Sequence, residues 1–545
     1  MTATNLGKLN AAESVIKTLI ANGIDKLYCL PGVQNDDFFD ALHRTGQAIT
    51  PIHTRHEQAT AYMALGAAMA TGKPQAYCVV PGPGFLNTTT ALATAQSLYQ
   101  PVLAISGQIF EDMIGKGLGY LHEIPDQLGI MKTLTKWAAH IDGPADAGAK
   151  TREAFRQMLS GVPGPVGIEC GWDIWKRATE VAIEDEIVRR ETPAIDEDAA
   201  EAAAKLLAGS KRPMIWVGGG ALDASVEVKR LAEMLQAPVV SFRTGAGVLD
   251  TRHELSQRVT GAYQLWKDVD VLIGVGTRLH HQLDWGTDDN MKVIHLDIDP
   301  TRPGRIRKPD VKLIADAKEG LAAIIARLGR HLGKRDSRKD EMAAVRADVD
   351  RELADLAPQK SWIDAIRRGV PDNGIVVEEL TQVSYVSRVM YPVYAPRTYI
   401  ASGYQGTLGW GYSTALGVKV ARPDTPVVSI SGDGGFMFGM QELATATRHN
   451  IPLVALIFND NAYGNVRRMQ ANNFEGRVIA SDLKNPDFVK LGASFGIRST
   501  RADTPAKLTA EMTAALKANE PALIEVPVGP FPDPWRLFFR KKARG

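Results

Sequence analysis

The chain has 545 residues, 63 basic and 62 acidic side chains for a formal net charge of +1, and 45% hydrophobic residues. That length exceeds what one hydrophobic core serves and predicts two to four domains. The balanced charge offers no field for nucleic acid or an anionic membrane surface, and no apolar run approaches the ~18 residues of a spanning helix, so a cytoplasmic protein without nucleic-acid or membrane partners is expected.

In chain order, the opening "MTATNLGKLNAAESVIKTLIANG" predicts an amphipathic helix rather than a signal peptide. Strand-like apolar runs then alternate with helical patterns, which predicts α/β architecture with parallel sheets. The first third carries "DKLYCL", "QAYCVV", "PVLAIS" and "GPVGIEC". The middle third carries "PMIWVGGG", "APVVSF", "DVDVLIGVG", "KVIHLDID" and "VKLIADA". The last third carries "GIVVEE", "PVVSISGDG", "PLVALIFND" and "PALIEVPV". Two charged stretches, 176–199 and 328–360, suit linkers or charged surface helices, and units over 1–180, 190–350 and 360–545 are expected. The endings "GPVGIECGWD" and "EPALIEVPVG" are alike, a weak hint of two related sheets flanking an inserted one. Cys29, Cys78 and Cys170 sit in apolar runs without metal-ligand spacing and read as buried reduced thiols.

Three places carry chemistry. Glu57 opens an alanine-rich helix with buried early faces, where a carboxylate is costly unless protonated or specifically bonded; a first-turn charge on the helix dipole is the plainer reading. "PGPGFLN" (81–87) follows a strand, and its glycines suit close approach of a cofactor or partner chain, with Asn87 as a cap or ring contact. In "PVVSISGDGGFMFGMQELATATRHNIPLVALIFNDNAYGNV" (426–466), Asp433 among glycines and Asn459–Asp460–Asn461 end successive strands. Each is a turn by itself; together they suit a divalent cation bridging carboxylates to a diphosphate, with the following helix aiming its N–H groups at the anion.

Asp433 and Asp460, 27 residues apart, resemble the cofactor motif of the thiamine diphosphate superfamily of acetohydroxyacid synthase, pyruvate decarboxylase and benzaldehyde lyase. The resemblance spans essentially the whole chain. It implies three doubly wound parallel-sheet domains: pyrimidine-binding, central and diphosphate-binding. It implies magnesium on Asp433, Asp460 and the main-chain oxygen of Ala462, with Gly432, Gly434, Gly435, Tyr463 and Gly464 around the cofactor. Many relatives have Asn at position 460, so Asp adds negative charge beside the metal. "SGYQGTLGWGYSTALGVKVA" (402–421) resembles the glycine-rich run that carries Gly406 and places Leu408 between the thiamine rings. Thr381 and Gln382, in "ELTQV" (379–383), fall where relatives contact the diphosphate.

By the same resemblance, Glu57 bonds the aminopyrimidine ring and promotes the imino tautomer that activates the cofactor. Pro81 and Asn87 lie beside the cofactor, and this loop faces a second subunit, which implies a homodimer at minimum and a homotetramer above it. Gln34 sits over the thiazolium, and His122 takes the place of a catalytic Gln as a proton shuttle. His53 and His56 read as structural neighbours of Glu57. The central domain resembles one that holds FAD in synthases and oxidases, but "SQRVTGAYQ" (256–264) departs from the flavin loop, so FAD is the less favoured alternative. "VGGGA" lacks the dinucleotide fingerprint. Gln282 and Met469 replace the arginine and aromatic that select the second keto acid in synthases. The implied enzyme is a thiamine diphosphate- and magnesium-dependent carboligase or decarboxylase of small 2-oxo acids with a pyruvate-like donor. Through an enamine it gives an aldehyde or, with an aldehyde or ketone acceptor, an acyloin or acetolactate-type product. A flavin-dependent oxidase or a C–C hydrolase of a diketone is the rival. The tail 529–545 either closes over the site or packs between subunits.

Overall fold

The computed structural model of the chain describes residues 6–183 and 185–545. Its backbone builds three parallel six-stranded sheets and one two-stranded antiparallel pair. In the first unit the strands Lys26–Cys29, Thr50–His53, Gln75–Val79, Val102–Gln108, Trp137–Ile141 and Val166–Gly171, counted 1 to 6, lie in the order 2-1-3-4-6-5. In the third unit the strands Ile375–Glu378, Tyr399–Ile400, Val427–Gly432, Val454–Asn459, Arg498–Arg501 and Ala522–Pro527 take the same order. The two alike endings are the sixth strands of these matching sheets. The middle unit, from Pro213–Val217 to Val311–Ile314, has the order 3-2-1-4-5-6 of a dinucleotide-binding fold.

Strands in the middle of each sheet are covered on both faces, which is why they read as unbroken apolar runs. Val427–Gly432 and Val454–Asn459 are buried at every residue. Within the six-stranded sheets the strands without such runs are Thr50–His53, Trp137–Ile141, Ser256–Gln257, Tyr399–Ile400 and Arg498–Arg501, and each lies at a sheet edge. An edge strand has one unpaired flank and tolerates polar residues, so apolar patterning passes over it.

The first expectation needs a correction. Helix Ala11–Ala21 is present and opens with a capping box between Asn10 and Glu13, but Leu6–Asn10 before it is a strand. That strand pairs antiparallel with Ala178–Ala182, so the first charged stretch is partly structured. The second contains helix Lys339–Glu352, which buries Met342 and Val349 and is tied to the middle unit by Arg212–Glu341 at 2.6 Å. It is a packed surface helix.

Helix Glu57–Thr71 of the first unit packs backbone to backbone on helix Gly411–Ala421 of the third. A Cβ at Gly66 would overlap the Thr414 carbonyl, and one at Gly417 would overlap the Met63 carbonyl. Only glycine admits that approach. The contact fixes the helix that begins at Glu57 against the unit that carries Asp433. The three cysteines are free and buried. Among the described residues no helix is long and apolar enough to cross a membrane.

Candidate active site

In a 2-1-3-4-6-5 sheet the strand order reverses between the parallel strands 1 and 3, and ligands bind in the crevice outside their carboxyl ends. In the third unit that point opens into a cavity of about 220 Å³. Thr381 and Gln382 reach it from strand Ile375–Glu378, and Gly432 to Gly435 from Val427–Gly432. Asp460, Ala462, Tyr463 and Gly464 come from the neighbouring strand exit, and Leu408 from the glycine-rich segment. Gly406 does not line the cavity; at φ +61° it shapes the turn that leads to Leu408.

The electrostatics of this cavity call for a cation. Asp433 is 2% exposed and accepts a hydrogen bond from Asn485 Nδ2 at 2.6 Å. Burial raises its carboxyl above the usual range. Asp460 is pushed up to about 6, by burial first and by the charge of Asp433 second. A buried carboxylate beside a second, half-buried one is relieved by a bound hard cation, and the oxygen donors present suit one. Among the described residues no group of three His, Cys, Asp or Glu is placed to hold a metal ion by itself, so a cation here would need backbone and ligand oxygens as well. Gly464 makes room for the Asp460 carboxylate, and a Cβ on Gly434 would stand 2.6 Å from the Tyr463 ring.

The single helix expected after Asp433 is broken. One turn, Asp433–Phe436, is followed by a 3₁₀ turn at Met440–Glu442 and helix Leu443–Arg448. Three glycines, at 434, 435 and 439, disfavour a continuous helix. An anion-binding helix N-terminus is therefore not found at Asp433. The nine-residue helix Gln382–Met390, capped by Thr381, reaches the cavity instead, and Gln382 Oε1 is buried without a partner.

Sequence reasoning missed three residues. Asn485 Nδ2 lies 3.0 Å from Asn459 Oδ1 and 3.3 Å from Asn461 Oδ1, besides its bond to Asp433. Tyr385 and Phe531 line the cavity. Asn485 sits in an ordinary loop sequence, so no pattern marks it. Phe531 belongs to the tail, which lies on its own chain. Its carbonyl accepts from Arg468 at 2.6 Å, and Trp535 Nε1 donates to Asn465 at 2.7 Å. Arg544 reaches the middle unit, donating to the carbonyls of Trp266 and Val269.

The remaining expected residues lie in the first unit and do not line that cavity. Glu57 is half-buried at the start of its helix, and Asn87 Nδ2 donates to Glu57 Oε2 at 3.0 Å. His56 is the helix cap and His53 stacks edge-on against His449, so both are structural. Pro81 is buried and leads into Gly82, at φ +55°. Gln34 is fully buried and donates to the Leu121 carbonyl at 3.1 Å. That bond places Gln34 beside His122, a residue at φ +70° whose Nδ1 is buried without a partner, as is Gln34 Oε1. A non-glycine residue in that region is a strained choice of the kind found at working sites.

The middle unit holds a second cavity, of about 260 Å³, lined in part by Gly218 to Gly220, Arg278, Arg302 and Lys318. The glycines are accounted for by packing: a Cβ on Gly218 would overlap the Gly276 carbonyl, and one on Gly220 would lie 2.8 Å from Gly276 Cα. Gln282 is buried, and Met469 is exposed on helix Gly464–Asn473.

Comparison with known proteins agrees with this geometry. Residues 9–130 match the N-terminal TPP binding domain of thiamine pyrophosphate enzymes, 200–324 the central domain and 380–526 the C-terminal TPP binding domain. A probable acetolactate synthase large subunit of Methanocaldococcus jannaschii is 31% identical over 96% of this chain and 92% of its own length. The acetolactate synthase isozyme 1 large subunit of Escherichia coli is 30% identical over 96% of this chain and 95% of its own. A probable 2-ketoarginine decarboxylase of Pseudomonas aeruginosa is 30% identical over 95% of this chain and 94% of its own.

Proposed function

Because the chain belongs to the thiamine pyrophosphate enzyme family, we propose that it is a thiamine diphosphate- and magnesium-dependent carboligase or decarboxylase of small 2-oxo acids with a pyruvate-like donor. The observation that carries the reading is the pair of buried Asp433 and half-buried Asp460, facing a glycine-lined cavity with both carboxyls raised. In this reading the two aspartates and the Ala462 carbonyl hold magnesium. Thr381, Gln382 and the glycines at 432, 434 and 435 receive the diphosphate. Leu408, Tyr463 and Gly464 shape the cavity wall. When bound, thiamine diphosphate supplies the carbanion chemistry.

Glu57, held by Asn87, is the group that holds a proton at the aminopyrimidine, with Pro81 beside it. Gln34 Oε1 and His122 Nδ1 are buried without partners, and in this reading they would face the substrate, with His122 placed to hold or move a proton. We place Glu57 opposite the diphosphate cavity of a second copy, because it is absent from its own chain's cavity. Exposed Leu86, Leu118 and Leu121 around it, and Val466, Met469 and Ile479 around the cavity, are apolar surface suited to that contact. A cytoplasmic homodimer at minimum, extending to a homotetramer, with domains over 1–180, 190–350 and 360–545, completes the reading.

FAD stays outside the proposal, since packing accounts for the middle-unit glycines; an absorbance spectrum of the pure protein tests it. Relatives differ in donor, so the experiment is product analysis of the protein loaded with thiamine diphosphate and magnesium. The donors are pyruvate, longer aliphatic 2-oxo acids and a guanidinium-bearing 2-oxo acid, each with and without an aldehyde acceptor. Carbon dioxide release with aldehyde or 2-hydroxy-ketone formation is expected. Oxygen consumption with a yellow protein would favour the oxidase.

A further inference from the structure

A chain of buried polar groups runs behind the substrate side of the first unit. Gln127, 1% exposed, opens helix Gln127–Leu134. Its Oε1 accepts the Gly82 N–H at 2.8 Å, and its Nε2 donates to Glu169 Oε2 at 2.8 Å and to the Gly107 carbonyl at 3.0 Å. Glu169, 3% exposed, presents its other oxygen to His140 Nδ1 at 3.0 Å. His140 Nε2 meets Glu111 Oε2 at 2.9 Å. Glu111 stands at the head of the segment that ends with His122, and a Cβ on Gly82 would overlap the His122 carbonyl. The chain therefore touches both loops that frame His122.

We propose that Gln127 is a positioning residue for Pro81–Gly82 and His122, held in its working orientation by Glu169, His140 and Glu111. This rests on the 2-oxo acid reading for its catalytic consequence, but not for its geometry. An amide has one acceptor and one donor end, and flipping Gln127 would set its oxygen against the Glu169 carboxylate and its NH₂ against the Gly82 N–H. Glu169 thereby fixes which end faces Gly82. His140 in turn fixes Glu169. Both its ring nitrogens face carboxylate oxygens, which only accept, so both carry protons.

The groups facing His140 are Glu169 from strand Val166–Gly171, Glu111 from the loop after Val102–Gln108, and Asp142 just beyond its own strand. Lys150, from helix Pro144–Leu159, donates to the His140 carbonyl at 2.5 Å and neutralises Asp142 and Asp146. Burial opposes the charged ring, yet the two carboxylates win and raise its pKa. The bridge is accordingly complete at low pH and lost as pH rises through that raised value. A neutral ring donates from one nitrogen only and releases one carboxylate.

Hydrogen exchange on the apoprotein and steady-state kinetics on the loaded enzyme test this together. Gln127→Met is expected to speed exchange of the amides at 82, 84–86 and 120–124 about tenfold, with exchange in the rest of the first unit little changed and the thermal midpoint lowered by the unpaired Gly82 N–H and Glu169 carboxylate. It is expected to lower kcat about tenfold while cofactor affinity holds. His140→Gln is expected to remove an alkaline limb from the kcat/KM profile. Unchanged exchange at those amides, exchange raised evenly through the first unit, or an identical alkaline limb would each overturn the proposal. Should no 2-oxo acid turn over, the reaction reading fails, and the apoprotein exchange still decides the role of Gln127.

Discussion

The carboxylate of Glu442 accepts the backbone N–H of Arg55, at 3.2 and 3.1 Å from its two oxygens, and so holds the chain two residues before Glu57. His449 adds a bond to the His53 carbonyl at 3.1 Å. The unit that carries Asp433 thus sets where Glu57 begins its helix. Glu442→Ala takes the charged acceptor away from that part-buried N–H, a loss of about 1.5–3 kcal/mol. It is expected to lower the thermal midpoint and the turnover together, whereas Glu442→Gln, which keeps an acceptor, should retain most of both. Thermal unfolding and steady-state rates of the two variants check this.

Glu57 and Asn87 separate in their effects. Glu57→Gln is expected to cut turnover by about 10²–10⁴-fold, the range for a positioned proton-transfer group, with circular dichroism unchanged. Asn87→Ala removes only the 3.0 Å bond that orients the carboxylate and should cost about tenfold. Equal losses in both variants would mean that Glu57 acts as packing.

Asp460 offers a test with opposite signs. Its carboxyl is pushed up by burial and by Asp433, so its charge opposes folding of the apoprotein. Asp460→Asn removes that charge yet keeps an oxygen for the cation. The apoprotein is expected to melt higher and to bind magnesium with thiamine diphosphate more weakly. Calorimetry without and with the ligands reads both; a variant that lost stability in the absence of ligands would contradict the account.

Glu379 gives a pH dependence. It is fully buried, accepts from the Gly409 backbone beside Leu408, and is raised from 4.5 to about 7, chiefly by burial. A carboxyl raised in the folded state favours the neutral form. Its contribution is therefore complete below its unfolded value near 4.5 and is lost as pH rises through about 7. At one unit per 1.36 kcal/mol the loss is up to about 3 kcal/mol. Glu379→Gln should abolish that decline, so the variant gains stability relative to the parent between those pH values in urea unfolding.

The sequence made the middle of each sheet legible and left most edges dark, Val311–Ile314 being the edge strand it did show, because only strands buried on both faces must be apolar throughout. Thr50–His53 and Arg498–Arg501 are cases in point. The alike endings at 164–173 and 520–529 were a trace of a repeated topology that only strand order reveals. Asp433 and Asp460 were readable because glycines and asparagines at successive strand exits are unusual together. Asn485, Gln127 and Glu442 were not. Each does its work through a contact set by tertiary packing, and nothing in its neighbours along the chain announces it. The helix break after Asp433 is written in its glycines at 434, 435 and 439.

The most direct measurement is carbon dioxide release from pyruvate and other small 2-oxo acids by the purified protein, with thiamine diphosphate and magnesium, beside the Asp433→Ala variant. The account predicts release that depends on both additions and is lost in the variant. Release from none of the acids tested, or release that survives in Asp433→Ala, would contradict it.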